Sequence, residues 1–133
     1  MENSESIQIT NNMDIKIVEV KTPSEIIIRP TEKENEYQSM LHDLSFTYSK
    51  MTNKSTEIEV GTNVAAKIKG HIWLRGVVLQ NTHNTTVMVY LYETGENKTL
   101  AVENVLPLHQ KFQNLPPLAV CIHLNVVSQL MCL

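Results

Sequence analysis

The sequence predicts a mainly β protein with one long helix, in which a β-hairpin and a helix precede a small β-barrel. Two β-rich runs, IKIVEV and EIIIRP, flank a proline-containing turn at residues 21–24, which is typical of a hairpin. After Pro30 the apolar residues recur every three or four positions, as on one face of a helix. Beyond Thr56, short strands and polar turns alternate about every eight to twelve residues, which favours a small closed or strongly bent barrel.

The helix is predicted to run for about four turns and to end near residues 51–54. Thr31 is the expected N-cap, with Glu34 three residues later as its capping-box partner. The helix carries one apolar stripe, which we expect to be buried against the hairpin rather than to bind a cofactor. Its members are Tyr37, Met40, Leu41, Leu44 and Tyr48.

Four strands are predicted for the barrel, followed by a helical turn, a proline-rich connector and a last apolar strand, LAVCIHLNVV. The four strands are residues 64–69, 72–80, 86–93 and 98–102. Trp73 is expected in the barrel core, because a lone tryptophan on a strand is usually buried. Alternation places Tyr90 and Tyr92 on the face of their strand opposite to Leu91.

Composition and charge exclude several classes of protein. The 133 residues are 42% hydrophobic and carry a formal net charge of −3, with scattered basic residues, which argues against direct binding of nucleic acid. No apolar run approaches the roughly 20 residues of a membrane span, so we expect a soluble, intracellular protein. Cys121 and Cys132 are expected to be reduced. Neither a zinc-site spacing nor a catalytic motif occurs, so neither a cofactor nor enzymatic activity is expected.

The order of residues from Gly61 to Leu124 resembles the Tudor domain family. The matching segments are GTNVAAKIKGHIWLRGVVLQ, TVMVYLYETGENKTL and VENVLPLHQKFQNLPPLAVCIHL. With the preceding hairpin and helix, the chain resembles an extended Tudor domain, in which an SH3-like Tudor barrel is set into a staphylococcal-nuclease-like, OB-type flank. The resemblance implies a disordered leader (1–13), a β-β-α nuclease-like flank (14–55), a Tudor barrel (56–112) and a return strand with a C-terminal flank (113–133). The family's flank continues further than Leu133, so we expect an abbreviated copy, a shortened chain or a sheet completed by an oligomeric partner.

The resemblance also implies where a peptide would bind. Members that recognise dimethylarginine hold it in a cage of aromatic side chains and one asparagine. The corresponding positions here are Ile68, Leu74, Leu91, Thr94 and Glu96, none of which is aromatic. We therefore expect a shallow aliphatic groove with Glu93 and Glu96 at its lip, suited to unmethylated arginine because a carboxylate accepts two of its N–H groups. The alternative is a filled, vestigial pocket.

Two functions follow from the resemblance. The first is a non-catalytic module that docks the arginine-rich N-terminal tail of a Piwi-class Argonaute, or another granule protein, in cytoplasmic perinuclear germline granules of the piRNA pathway. The second is a scaffold in which the apolar C-terminal run LAVCIHLNVVSQLMCL and the unfinished sheet mediate self-association, with a homodimer as one outcome. Binding of single-stranded RNA would need a basic groove with stacking aromatics, which the sequence lacks.

Overall fold

The computed structural model describes residues 13–51 and 57–123. The chain begins with an antiparallel hairpin and continues through a short 3₁₀ turn at Thr31–Lys33 into a long helix. The hairpin strands are β1 (Ile15–Thr22) and β2 (Glu25–Pro30), and the helix is α1 (Glu34–Tyr48). The predicted leader, apart from Met13, lies outside the described residues, as do Cys132 and the part of the apolar C-terminal run after His123.

The second part is a five-stranded antiparallel sheet with the order β6-β5-β4-β3-β7. Its strands are β3 (Asn63–Lys69), β4 (Ile72–Thr82), β5 (Thr86–Leu91), β6 (Asn97–Ala101) and β7 (Val105–Pro107). A short helix, α2 (Gln110–Gln113), and a last strand, β8 (Val120–His123), follow. The predicted class, mainly β with one long helix in an extended Tudor arrangement, is confirmed.

The last strand leaves the barrel and returns to the hairpin. β8 pairs with β2 in antiparallel register, so that Ile28 lies opposite Val120 and the flanking sheet has the order β1-β2-β8. The flank is thus built from both ends of the described chain, and the barrel is inserted between them.

Two apolar cores lie on the two faces of the five-stranded sheet, because side chains alternate across a strand. Val64 and Ala66 point into a core formed largely by β3, β4, β5 and β7, whereas Ala65 between them points to the opposite core against α1. Trp73 is 3% exposed, so the prediction of a buried tryptophan is confirmed, but it lies in the core against α1 and not in the barrel core as expected.

The apolar stripe of α1 is buried as expected, but its partner differs from the prediction. Tyr48 stacks at a tilt on Trp73, with 5.5 Å between ring centroids, and its hydroxyl donates to the carbonyl oxygen of Pro107 at 3.0 Å. Phe112 joins the same cluster at 6.0 Å from the Tyr48 ring. The helix therefore packs mainly on the barrel and α2, and it contacts the hairpin through Arg29, whose guanidinium carbon lies 3.8 Å from the centre of the Tyr37 ring.

Two predictions about the ends of α1 are wrong. Thr31 opens the 3₁₀ turn, and the helix begins three residues later with Lys33 at its N-cap, which makes no side-chain capping hydrogen bond. The carboxylate of Glu34 instead accepts from Arg29 Nε at 2.9 Å and from Gln38 Nε2 at 2.8 Å. These bonds hold the pKa of Glu34 below its usual value, with the Gln38 bond contributing most. The helix ends at Tyr48, earlier than expected.

Candidate functional site

The turn between β5 and β6 carries three of the six residues that the sequence singled out. The backbone N–H of Leu91 donates to the carbonyl oxygen of Glu96 at 2.8 Å, and that of Gly95 donates to the carbonyl oxygen of Leu91 at 2.9 Å. Gly95 has a φ of +74°, a conformation that glycine adopts without strain. This tight turn leaves Thr94 and Glu96 half-buried at the rim of the barrel.

The three aliphatic residues of the predicted groove lie in one apolar cluster. Leu91 is 1% exposed within the barrel core, and Ile68 and Leu74 pack against that core while remaining partly exposed. Ile68 and Leu74 come from adjacent antiparallel strands, near the hairpin turn that joins β3 and β4. The barrel therefore presents an aliphatic patch, with Leu91 as its floor.

Glu93 does not lie at the lip of a groove, which corrects the prediction for this residue. Its side chain is 2% exposed and forms a buried ion pair with the guanidinium of Arg75, itself 1% exposed. The same carboxylate accepts the backbone N–H of Leu118 at 3.1 Å. Because these buried partners occupy the carboxylate, Glu93 is a structural residue and cannot receive a guanidinium from outside.

The guanidinium of Arg75 also fixes the connector that follows α2. Its Nη1 donates to the carbonyl oxygens of Phe112 and Leu115, both at 2.7 Å, and its Nη2 donates to that of Pro116 at 3.1 Å. The sequence analysis assigned no role to Arg75. A basic residue two positions after a core tryptophan, and so on the same face of its strand, was the available signal, since a buried arginine requires a carboxylate partner.

Lys21 of the flank reaches the same turn and was also missed. Its Nζ donates to the carbonyl oxygen of Gly95 at 2.7 Å and lies 5.7 Å from the centre of the Tyr90 ring. Ile27 of β2 also packs on this turn. A Cβ atom built on Gly95 would lie only 2.6 Å from Cγ1 of Ile27. The turn that bears Thr94 and Glu96 is therefore held at the boundary between barrel and flank.

Tyr92 lies on the side of the strand away from Leu91, as alternation predicts. Its hydroxyl donates to Oδ1 of Asn63, and its ring lies 5.5 Å from the guanidinium carbon of Arg75. Burial raises the pKa of the Tyr92 hydroxyl, and the nearby Arg75 partly opposes that rise. This contact makes Tyr92 part of the structural frame around the buried ion pair.

The turn that follows Leu91 of the aliphatic cluster carries one carboxylate that no described residue neutralises. Glu96 makes no ion pair with any residue in the ranges 13–51 and 57–123, so its charge is available to a ligand. Those ranges also hold no group of three or more His, Cys, Asp and Glu side chains placed to bind a metal ion. Among the helices described, none has the length and apolar character needed to cross a bilayer.

Comparisons with known proteins agree with this architecture. A sequence profile of the Tudor domain matches residues 7–125. Tudor domain-containing protein 7B of Danio rerio is 25% identical over 109 residues, which cover 82% of this chain and 10% of that protein. The chain thus spans about a tenth of the length of this relative.

Solved extended Tudor domains share the fold. The human TDRD1 domain in complex with a symmetrically dimethylated E2F peptide superposes with a TM-score of 0.77 at 16% identity, covering 89% of this chain and 61% of that one. The D287A variant of the Drosophila melanogaster Papi extended Tudor domain, in complex with a Piwi N-terminal R10me2s peptide, gives a TM-score of 0.72 at 18% identity, covering 85% of this chain and 60% of that one. The profile match over most of the sequence, together with the barrel set between a hairpin and its returning strand, shows that this chain belongs to the Tudor domain family.

Proposed function

We propose that this Tudor domain is a non-catalytic module that docks an arginine-containing peptide through Glu96 and the neighbouring aliphatic patch. The observation that carries the proposal is the half-buried Glu96, which makes no ion pair within residues 13–51 and 57–123 and lies on the turn that follows Leu91, a member of the aliphatic cluster. The solved neighbours support a peptide ligand, since the TDRD1 domain holds a symmetrically dimethylated peptide and the Papi D287A domain holds a Piwi N-terminal R10me2s peptide.

The two halves of an arginine side chain match the two halves of this site. Its three methylene groups pack on the partly exposed side chains of Ile68 and Leu74, and the guanidinium reaches the carboxylate of Glu96. Thr94 adds a hydroxyl at the same turn, where its Oγ1 lies 3.4 Å from the backbone N–H of Glu96. Glu93 takes no part, because Arg75 neutralises it inside the barrel.

Methylation of the arginine weakens this mode of binding. A methylated guanidinium gains affinity from aromatic rings through cation–π attraction, and Ile68, Leu74, Leu91 and Thr94 offer none. The methylated guanidinium also has fewer N–H groups that can donate hydrogen bonds to a carboxylate. The domain therefore favours the unmodified arginine of its ligand.

The partner that fits this chemistry is the arginine-rich N-terminal tail of a Piwi-class Argonaute or of another granule protein. The Papi complex with a Piwi peptide supports this choice. Docking of such tails belongs in cytoplasmic perinuclear germline granules of the piRNA pathway, where one Tudor module contributes to a larger assembly.

Isothermal titration calorimetry with one Piwi-type tail peptide, unmodified and symmetrically dimethylated, tests the proposal. We expect the unmodified peptide to bind more tightly, and Glu96→Arg to abolish binding while the fold is retained. Glu103→Arg is the matched control, because it makes the same charge change at an exposed position on another turn. Tighter binding of the dimethylated peptide would refute the preference for unmodified arginine. Unaltered peptide binding by the Glu96→Arg variant would refute the assignment of the binding site to Glu96.

A self-association scaffold is a second candidate, favoured by an apolar face on the flanking sheet. Residues directly opposite each other on antiparallel strands project to the same side, so Ile15, Ile17 and Val20 share a face with their apolar partners on β2 and β8. Those partners are Ile26, Ile28, Pro30, Val120 and Ile122, of which Ile28 and Pro30 are fully buried, so the exposed part of the face lies mainly on β1. The three β1 residues are 40%, 56% and 61% exposed, respectively.

Light scattering over a range of protein concentrations separates the two functions. A concentration-dependent dimer that Ile17→Lys abolishes would support the scaffold, since a charge on this face opposes apolar association. Lys16→Glu is the control, because Lys16 occupies the opposite face of the same strand. A monomer at all concentrations would refute the scaffold and leave peptide docking untouched.

A further inference from the structure

A groove runs between α1 and α2, on a part of the molecule that shares no residue with the turn around Glu96. Its volume is about 300 Å³, at the lower end of the range for ligand pockets. The residues that line it are Glu36, Ser39, Met40, Asp43, Lys111, Phe112 and Leu115.

The floor and the rim of the groove differ in chemistry. Met40 and Phe112, each 3% exposed, form an apolar floor with Leu115. Glu36 and Asp43 form an acidic rim on α1, two helical turns apart on the same side of the helix. Such a groove suits a segment with an apolar anchor between two positive charges.

The α2 side of the groove is fixed in place by the barrel. Arg75 holds the carbonyl oxygens of Phe112 and Leu115 at 2.7 Å each, and the Phe112 ring packs against Tyr48 of α1. A ligand would therefore enter a groove that is already formed, which lowers the ordering cost of binding.

The charges of the rim are only partly compensated within the domain. Asp43 makes no ion pair with any residue that the structure describes, and Glu36 has a single exposed pair, with Lys33 at 3.6 Å. Lys111 places its ammonium 5.0 Å from the centre of the Phe112 ring, so a cation already lies over this aromatic floor.

We propose that this groove binds a basic peptide segment in an extended, polyproline-II-like conformation, with two basic residues three positions apart and an apolar residue between them. Glu36 and Asp43 are seven residues apart on α1, which corresponds to about 10 Å along the helix axis. A polyproline II segment advances about 9 Å in three residues and returns to the same face. Basic residues at positions 1 and 4 thus meet the two carboxylates, and the side chain between them meets Met40, Phe112 and Leu115.

Fluorescence anisotropy with the labelled peptide Gly-Arg-Pro-Leu-Arg-Gly tests the proposal, alongside a peptide in which the two arginines are adjacent. We expect Asp43→Lys to weaken binding of the first peptide on the order of tenfold, because an attractive charge becomes repulsive. Glu103→Lys is the matched control, since it changes the net charge equally at an exposed site outside the groove. Ser39→Trp fills the groove without altering charge and should also weaken binding.

Amide chemical shifts identify the site of contact. The proposal requires shifts on α1 and α2 that persist in Glu96→Arg, which separates this groove from the barrel turn. Equal weakening by Asp43→Lys and Glu103→Lys would reduce the effect to net charge and overturn the proposal. Equal affinity for the two peptides would overturn the three-residue spacing, and shifts confined to the barrel turn would overturn the site.

Discussion

Replacing Glu93 by glutamine should destabilise the domain severely, although the substitution preserves the shape of the side chain. The Arg75 guanidinium is 1% exposed, and Glu93 is its carboxylate partner. Removing one member of a buried ion pair leaves an uncompensated charge and costs about 3–5 kcal/mol. The glutamine carbonyl can still accept one hydrogen bond, so we expect the lower end, about 3 kcal/mol.

Urea unfolding followed by the fluorescence of Trp73 measures this cost. Trp73 is the only tryptophan of the chain and lies buried against Tyr48, so its emission reports loss of the core. With a denaturant dependence of about 1.5 kcal/mol per molar urea, a loss of about 3 kcal/mol lowers the midpoint by about 2 M.

Glu96→Gln is the matched control for this experiment. It makes the same chemical change three residues later on the same turn, at a half-buried carboxylate without an ion pair in the described ranges. We expect a loss below about 1 kcal/mol there. If Glu93→Gln and Glu96→Gln lowered the midpoint equally, the structural role assigned to the buried pair would be refuted.

Two further predictions concern packing and pH. Gly76→Ala should lower the free energy of unfolding by about 2–3 kcal/mol, because the new Cβ would lie 2.4 Å from Cγ1 of Val89. An unchanged thermal midpoint would contradict this prediction and show that β5 can move aside. Burial raises the pKa of the Tyr37, Tyr48 and Tyr92 hydroxyls above their ordinary value of 10, so folding favours their protonated forms. The stability that they contribute is fully present below their ordinary pKa and is lost as the pH rises through the raised pKa, so the urea midpoint should fall above about pH 10, whereas a flat profile would contradict the burial.

Local patterns in the sequence predicted most elements of the fold, but β7 (Val105–Pro107) lies in a segment that they predicted as a helical turn and a connector. The alternation in IKIVEV and EIIIRP and the three-to-four spacing after Pro30 arise from the geometry of strands and helices, which neighbouring residues determine. The stripe on α1 showed which side of the helix is buried, but it carried no information about the partner. That partner includes Trp73 and Phe112, which come from distant parts of the chain.

The candidate site depended on contacts that local patterns do not encode. Glu93 was expected at the surface because it stands among turn residues, yet Arg75 is 18 residues away and Leu118 is 25 residues away. Lys21 meets Gly95 across 74 residues. The family resemblance pointed to the turn between β5 and β6, but only the folded connector, which places Leu118 against Glu93, shows that the Glu93 carboxylate is already occupied.

The return of β8 to β2 has a consequence for the order in which the domain folds. The flanking sheet is complete only when Ile28 pairs with Val120, which lies about 90 residues later in the chain. Closing so long a loop is entropically costly until the chain between its ends is compact. The barrel hairpins and their short turns therefore form first. Arg75 then binds the carbonyl oxygens of the connector that precedes β8, and this positions β8 beside β2. During synthesis, the hairpin must leave one edge of β2 unpaired until nearly the whole described chain has emerged.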